Sequence, residues 1–396
     1  MDTWHLDPAP APAAPPAPLV DRFGRVHTDL RVSLTDRCNL RCTYCMPAEG
    51  LNWLPKAEVL TDDEIVRLVG IAVRRLGIRT VRLTGGEPLL RRGLPGLVAR
   101  ITAGPDSQLP PGPARPARTL DARPKLPSSS ATREFLPHAD RTHRTAEPDP
   151  TGVVSQALGP EVSLTTNGIG LARTAAELKA AGLHRVNVSL DTLRPERYTE
   201  ITRRDRIADV FAGLAAAQTA GLTPVKINAV PVRGVNDDEI LDLVEFAAGH
   251  GYRMRFIESM PLDAQGAWDR SKMVTADEML EVLATRWELV PVGRHGNAPA
   301  EEWRIAGTDT VVGVIASVTR PFCGGCDRVR LTADGQLRNC LFATTESDLR
   351  ALLRGGADDT AIESAWRSTI ARKGPGHAIN SADFTQPARP MSAIGG

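Results

Sequence analysis

Six cysteines fall into two trios, with none left over. Cys38, Cys42 and Cys45 form a C-x3-C-x2-C run inside "TDRCNLRCTYCMP", and Cys323, Cys326 and Cys340 form C-x2-C-x13-C. Disulfides belong to oxidising compartments and small secreted chains. Structural zinc takes four ligands. The pairs Cys42/Cys45 and Cys323/Cys326 could supply one such site, leaving Cys38 and Cys340 unused. Two iron–sulfur clusters, each on three thiolates with one iron open to a non-protein ligand, use all six. An open coordination position is what a catalytic metal keeps.

The elements around these residues alternate. "RVSLT" (31–35), "TVRLT" (80–84), "EVSLTTNG" (161–168), "RVNVSLD" (185–191), "PVKINAV" (224–230) and "YRMRFIES" (252–259) read as strands. Between them lie helical stretches at 61–77, 94–104, 170–181, 207–220 and 237–248. Thr61/Glu64 form a capping box, Gly77 is a stop, and "NDDE" is a cap for the last. Six β/α units predict an incomplete (β/α)6 TIM-like barrel over 21–262, with its chemistry at the strand C-termini. Cys38–Cys45, "GGEP" (85–88), "TTNG", "SLDT" and "ESMP" (258–261) all fall there.

After Pro261 the pattern changes. A helix at 275–287 starts with a Thr275/Glu278 box. "EWRIAG" and "TVVGVIASVT" read as strands, and 327–342 as a hairpin turning at Asp334–Gly335. A helical region over 346–373 follows. Residues 263–396 are therefore expected to form a smaller α+β domain that carries the second trio and covers the barrel mouth. The Pro/Ala-rich stretch 1–20 reads as a disordered tail, and the Pro/Arg/Ser-rich stretch 105–160 as a disordered insertion at the bottom of the barrel. His138 and His143 inside it read as solvated loop residues.

The chain has 396 residues, net charge +1, 42% hydrophobic, 24% charged and 4% aromatic residues. That suits two or three domains with a sizeable core. It speaks against a nucleic-acid binder, which shows a basic excess. No apolar run is long enough to span a membrane and no secretory signal opens the chain, so the expected setting is the cytoplasm.

C-x3-C-x2-C with Tyr44 before the last cysteine resembles the cluster loop of radical S-adenosylmethionine enzymes. With "TGGEPLLR", "LTTNG", "VNVSLDTL", "VKINAV", "RFIESMP" and C-x2-C-x13-C in that order, the chain resembles the GTP 3′,8-cyclase family that begins molybdenum cofactor synthesis. The resemblance spans all but 1–20 and the insertion. It implies two [4Fe–4S] clusters, the first binding S-adenosylmethionine at its open iron, the second, in the smaller domain, meeting the guanine base. It implies cofactor contacts at Tyr44, Gly86, Glu87, Ser189 and Met260. Glu87 would accept from the amino group. Substrate contacts fall on Arg31, Arg82, Thr165, Lys226, Arg328, Val329 and Arg330. Arg328, Arg330 and the tail Gly395–Gly396 would act in catalysis. The resemblance further implies a flavodoxin or ferredoxin donor, a cyclic pyranopterin monophosphate synthase downstream, and a homodimer. A peptide-modifying two-cluster enzyme and a zinc-stabilised binding module are the alternatives.

Overall fold

The computed structural model describes residues 17–104 and 159–395. The expected 105–160 insertion lies outside them except for Gly159 and Pro160, and so does Gly396. Gly159 packs on the backbone of Thr102. The end of the second helix and the stretch leading into the third strand thus meet near the N-terminal end of that strand, away from the cysteines.

The expected strands form as β1 (Asp29–Ser33), β2 (Thr80–Thr84), β3 (Glu161–Thr166), β4 (Arg185–Ser189), β5 (Lys226–Ala229) and β6 (Arg253–Ile257), all parallel. Between them run α1 (Asp62–Leu76), α2 (Leu94–Thr102), α3 (Leu171–Ala180), α4 (Pro195–Thr202), α5 (Ile207–Thr219) and α6 (Ile240–Gly249). Thr61 and Glu64 cap α1 reciprocally, and Gly77 ends it at φ 74°. Such a cap contributes about 1 kcal/mol, and the left-handed stop suits glycine.

The remainder forms its expected elements but arranges them differently. After α7 (Ala276–Ala284) come β7 (Leu289–Gly293), β8 (Glu301–Ile305), β9 (Val311–Ile315), β10 (Arg328–Leu331), β11 (Gln336–Arg338) and β12 (Ser347–Asp348). They build no separate sheet. One open twelve-stranded sheet runs β12-β11-β10-β1-β2-β3-β4-β5-β6-β9-β8-β7. β9 pairs parallel with β6, and β10 pairs parallel with β1. The C-terminal region therefore extends the barrel at both edges, satisfying hydrogen bonds that bare edge strands would leave open. The hairpin at Gly335 (φ 79°) forms as expected. The helical region is two helices, α8 (Leu349–Arg354) and α9 (Asp359–Ala371), parted at Gly355–Gly356; a short α10 (Met391–Ile394) lies near the end.

Two further expectations change. Ala17–Val20 do not behave as tail. Leu19 is fully buried, donates its N–H to Leu76 O (3.0 Å) and accepts from His27 N (2.8 Å). One leucine in a Pro/Ala run gives no periodicity to read. The Asn236 side chain makes no capping bond to the helical turn that follows it. Its amide donates to Asp191 O (2.8 Å) and Val230 O (3.1 Å), tying the end of β4 to that of β5.

The core follows from strand alternation. Leu30, Val32, Val81, Leu83, Val329 and Leu331 face the helices and are fully buried. Their neighbours on the other face, Asp29, Arg31, Arg82, Arg328 and Arg330, line the interior of the sheet. Among the described residues no helix is long and apolar enough to cross a membrane.

Candidate functional site

The loop after β1 carries the first trio. Cys45 and Met46 donate to Cys42 O, at 2.9 and 3.0 Å, which winds the loop into a turn. Arg41 and Thr43 donate backbone N–H to Thr202 O (3.0 Å) and Ile201 O (2.9 Å). Arg203, at φ 56°, donates its guanidinium to Arg41 O (2.9 Å) and Met46 O (3.1 Å). α4, which the sequence reading missed, is thus the anchor of the cysteine loop. Its signal was Pro195 at a helix start, in "RPERYTEIT".

Gly85 and Gly86 border this loop. A Cβ on Gly86 would strike the carbonyls of Asp36 and Arg37, and one on Gly85 the carbonyl of Thr35. Gly86 N donates to Thr35 O (2.7 Å) and Glu87 N to Arg37 O (2.8 Å). The close approach these glycines permit is therefore to the chain's own cysteine loop.

Glu87 is placed differently from expectation. It is 1% exposed, and its carboxylate accepts from Thr166 Oγ1 (2.7 Å), Asn167 N (2.7 Å) and Leu89 N (2.9 Å). All three donors are internal, so the side chain braces β2 against β3 and does not face the cavity. Burial pushes its pKa up to about 7.

A cavity over the loop is lined by Cys38, Cys42, Cys45, Tyr44, Gly86, Asn167, Ser189 and Ser392, among others. A second, larger cavity is lined by Cys323, Cys326 and Cys340, with Arg31, Arg82, Arg255, Arg328, Arg330 and Met260. Tyr44, Thr165, Ser189, Asp191 and Met391 border both. Tyr44 donates its buried hydroxyl to Asp191 Oδ2 at 2.5 Å, and Asp191 Oδ1 accepts from Val230 N (2.8 Å).

The arginines stand in register. Arg330, Arg31 and Arg82 are direct neighbours across β10, β1 and β2; one step down, Arg328 pairs with Asp29. Arg255 on β6 donates to Asn187 Oδ1 (2.8 Å). The Nε atoms of Arg31, Arg82, Arg255 and Arg328 are buried with no partner. Burial lowers the Arg31, Arg255 and Arg330 pKa values to about 9, helped by the other arginines. Burial would raise Asp29, but its four arginine neighbours hold it below the usual range. A row of desolvated cations with open donors and one carboxylate fits a polyanion.

Several expected contacts are not brought here. The Val329 side chain packs in the helix-facing core, because alternation turns it away from Arg328 and Arg330. Lys226 stands at the start of β5 and does not line the cavity. Gly395 does reach it: its carbonyl accepts from Arg330 Nη1, and its φ is 87°. Asp191, Arg255, Phe322 and His377 went unread. "SLDT" and "RFIESMP" held the first two, but local periodicity does not show which cations share a row.

All six thiols are free. Among the described residues no three His, Cys, Asp or Glu side chains converge on one ion-sized point, as a zinc ion would need. The two C-x2-C pairs lie on different cavities, so they make no common zinc site. A cube spreads three thiolates over three irons, and each trio lines a single cavity, which suits an iron–sulfur cluster. Burial pushes Cys38 up to about 11 and Cys45 to about 12. Burial would raise Cys326 too, but Lys373 and Arg328 bring it below the usual thiol value.

Residues 32–247 match the model of the Radical SAM superfamily, and 252–379 match that of Molybdenum Cofactor Synthesis C. A Streptomyces coelicolor protein, GTP 3′,8-cyclase, is 55% identical over 380 residues, 96% of either chain. A protein of the same name from Mycolicibacterium smegmatis is 51% identical over 395 residues, 98% of this chain and 94% of that one. Among solved structures, Streptococcus suis SuiB bound to S-adenosylmethionine matches with a TM-score of 0.52 at 12% identity, over 94% of this chain and 77% of the other. That likeness concerns the fold alone.

Proposed function

Since the chain belongs to the radical S-adenosylmethionine GTP 3′,8-cyclase family, we propose how its two cavities divide the work of that reaction. The protein converts GTP to (8S)-3′,8-cyclo-7,8-dihydroguanosine 5′-triphosphate, the first step of molybdenum cofactor synthesis, with S-adenosylmethionine and two [4Fe–4S] clusters as cofactors. The carrying observation is the shared wall: each cysteine trio lines its own cavity, and Tyr44, Thr165, Ser189, Asp191 and Met391 separate the two.

Cys38, Cys42 and Cys45 would hold the first cluster, the one that would bind S-adenosylmethionine. Cys323, Cys326 and Cys340 would hold the second. When bound, the first cluster and S-adenosylmethionine supply the radical that takes a hydrogen atom from the substrate ribose. The protein's part is placement. Arg31, Arg82, Arg255, Arg328 and Arg330 receive the triphosphate. Tyr44 is fixed by Asp191, while Gly86, Ser189 and Met260 border the cofactor. Glu87 keeps β2 and β3 aligned beneath them. Gly395, bound to Arg330, closes the same cavity. Lys226 adds long-range positive potential and makes no direct contact. A flavodoxin- or ferredoxin-type donor, a downstream cyclic pyranopterin monophosphate synthase, a homodimer and a cytoplasmic setting complete this reading.

The test is turnover. Anaerobically reconstituted protein with reductant and S-adenosylmethionine should release 5′-deoxyadenosine much faster when GTP is added. Equal rates with and without GTP would refute the substrate assignment.

A further inference from the structure

Lys373, just beyond α9, is 2% exposed. Its ammonium donates to Arg328 O (2.9 Å) and Cys326 O (3.3 Å), and reaches Cys326 Sγ (3.6 Å) and His27 Nδ1 (3.5 Å). An ammonium only donates, so His27 Nδ1 accepts. The ring hydrogen is then on Nε2, which faces Asp21 Oδ2 at 3.2 Å. His27 is fully buried and Asp21 nearly so. Asp21 also takes Arg25 Nε (2.6 Å), and Arg25 spends its remaining nitrogens on Cys323 O (2.7 Å), Gly374 O (2.6 Å) and Pro375 O (3.1 Å). The segment Asp21–His27 thus forms a cradle behind the second trio, with an ordered chain Asp21–His27–Lys373–Cys326.

The trio is not treated evenly. Cys326 is approached at sulfur by two cations, Lys373 and Arg328 Nη1 (3.7 Å). Arg328 belongs to the substrate cavity; Lys373 does not line it. A lysine that only stitched α9 to β10 would be satisfied by the two carbonyls. Placing a buried charge against a ligand sulfur has a second effect, because charge and hydrogen bonds at cluster sulfurs set the reduction potential.

We propose that Lys373, oriented by Asp21 and His27, is a positioning residue of the second cluster that anchors the Cys326 thiolate and raises that cluster's reduction potential. This rests on the reading of Cys323, Cys326 and Cys340 as cluster ligands. Removing one desolvated charge at a sulfur should change the reduced-to-oxidised ratio at fixed potential about tenfold, which is about 59 mV for a one-electron couple.

The experiment uses the full chain with Cys38, Cys42 and Cys45 changed to Ser, so that only the second cluster assembles. Iron content and EPR-monitored potentiometric titration are compared in this background with Lys373→Arg, Lys373→Gln and Lys373→Met added. The expected result is a more negative midpoint in Gln and Met, with Arg close to the parent. A loaded cluster titrating at the parent's potential in Gln or Met overturns the proposal. Variants that keep the parental circular dichroism but lose iron support the anchoring role. Unfolding of both neutral variants overturns it, since the ammonium then serves only the fold. A parent background without iron refutes the cluster reading itself and is distinguishable from the other outcomes.

Discussion

Replacing Arg31 with Met should make the protein more stable without substrate and a poorer binder of GTP. The Arg31 side chain is only 11% exposed, its nearest carboxylate is Asp29 at 3.9 Å, and its Nε is buried with no partner. Arg82 and Arg330 stand beside it in register. At about 1.4 kcal/mol per pKa unit, a fall from 12.5 to about 9 puts a ceiling of ~5 kcal/mol on its unmet charge. Apolar replacement of buried charges commonly stabilises by about 1–4 kcal/mol. Asp29 keeps Arg82, Arg328 and Arg330 as cationic neighbours, so it is not stranded. With GTP that advantage shrinks, since a lost charge-assisted contact costs about 1.5–3 kcal/mol, or roughly 10- to 100-fold in Kd. At a GTP concentration near 100 times the parent Kd, the ligand stabilises the parent by about 2.7 kcal/mol. A variant weakened about 30-fold gains only about 0.9 kcal/mol at that concentration. Chemical denaturation with and without GTP, on equally cluster-loaded samples, measures both quantities. A variant destabilised without GTP, with the parental gain on adding it, would refute the view of this row as a site held open for a polyanion.

Gly86→Ala should drive the cysteine loop away from β2, because the new Cβ meets the carbonyls of Asp36 and Arg37. Iron content should fall by about half as the first cluster is lost and the second stays; full iron content would contradict the packing argument. Lys226 is half-buried, and burial, then Arg255 and Arg185, lowers its pKa to about 8. The unfolded chain keeps that proton up to about 10.4, so the native state binds fewer protons between those values. The lysine therefore costs stability below pH 8, and that cost fades as pH rises from about 8 to 10.4. Lys226→Met should be more stable than the parent at pH 7 and equal to it near pH 10.4; a constant difference across that range would contradict the assignment.

Much of this protein is written locally. The cysteine spacings, the Thr61 and Thr275 boxes, the Gly77 stop and the Asp334–Gly335 turn are short-range patterns, and each appears where expected. Period-two alternation also put Arg328 and Arg330 on one face and, applied once more, turns Val329 away from them. What depended on the tertiary structure is what depends on register between distant strands. β10 joins β1 from nearly 300 residues away in the chain, and only that pairing lines Arg330 up with Arg31 and Arg82. Glu87 as a brace, α4 as the loop's anchor and Lys373 against Cys326 have the same origin. A side chain's partner across the fold is chosen by packing and by the need to satisfy buried polar groups, and neither leaves a mark in the neighbouring residues.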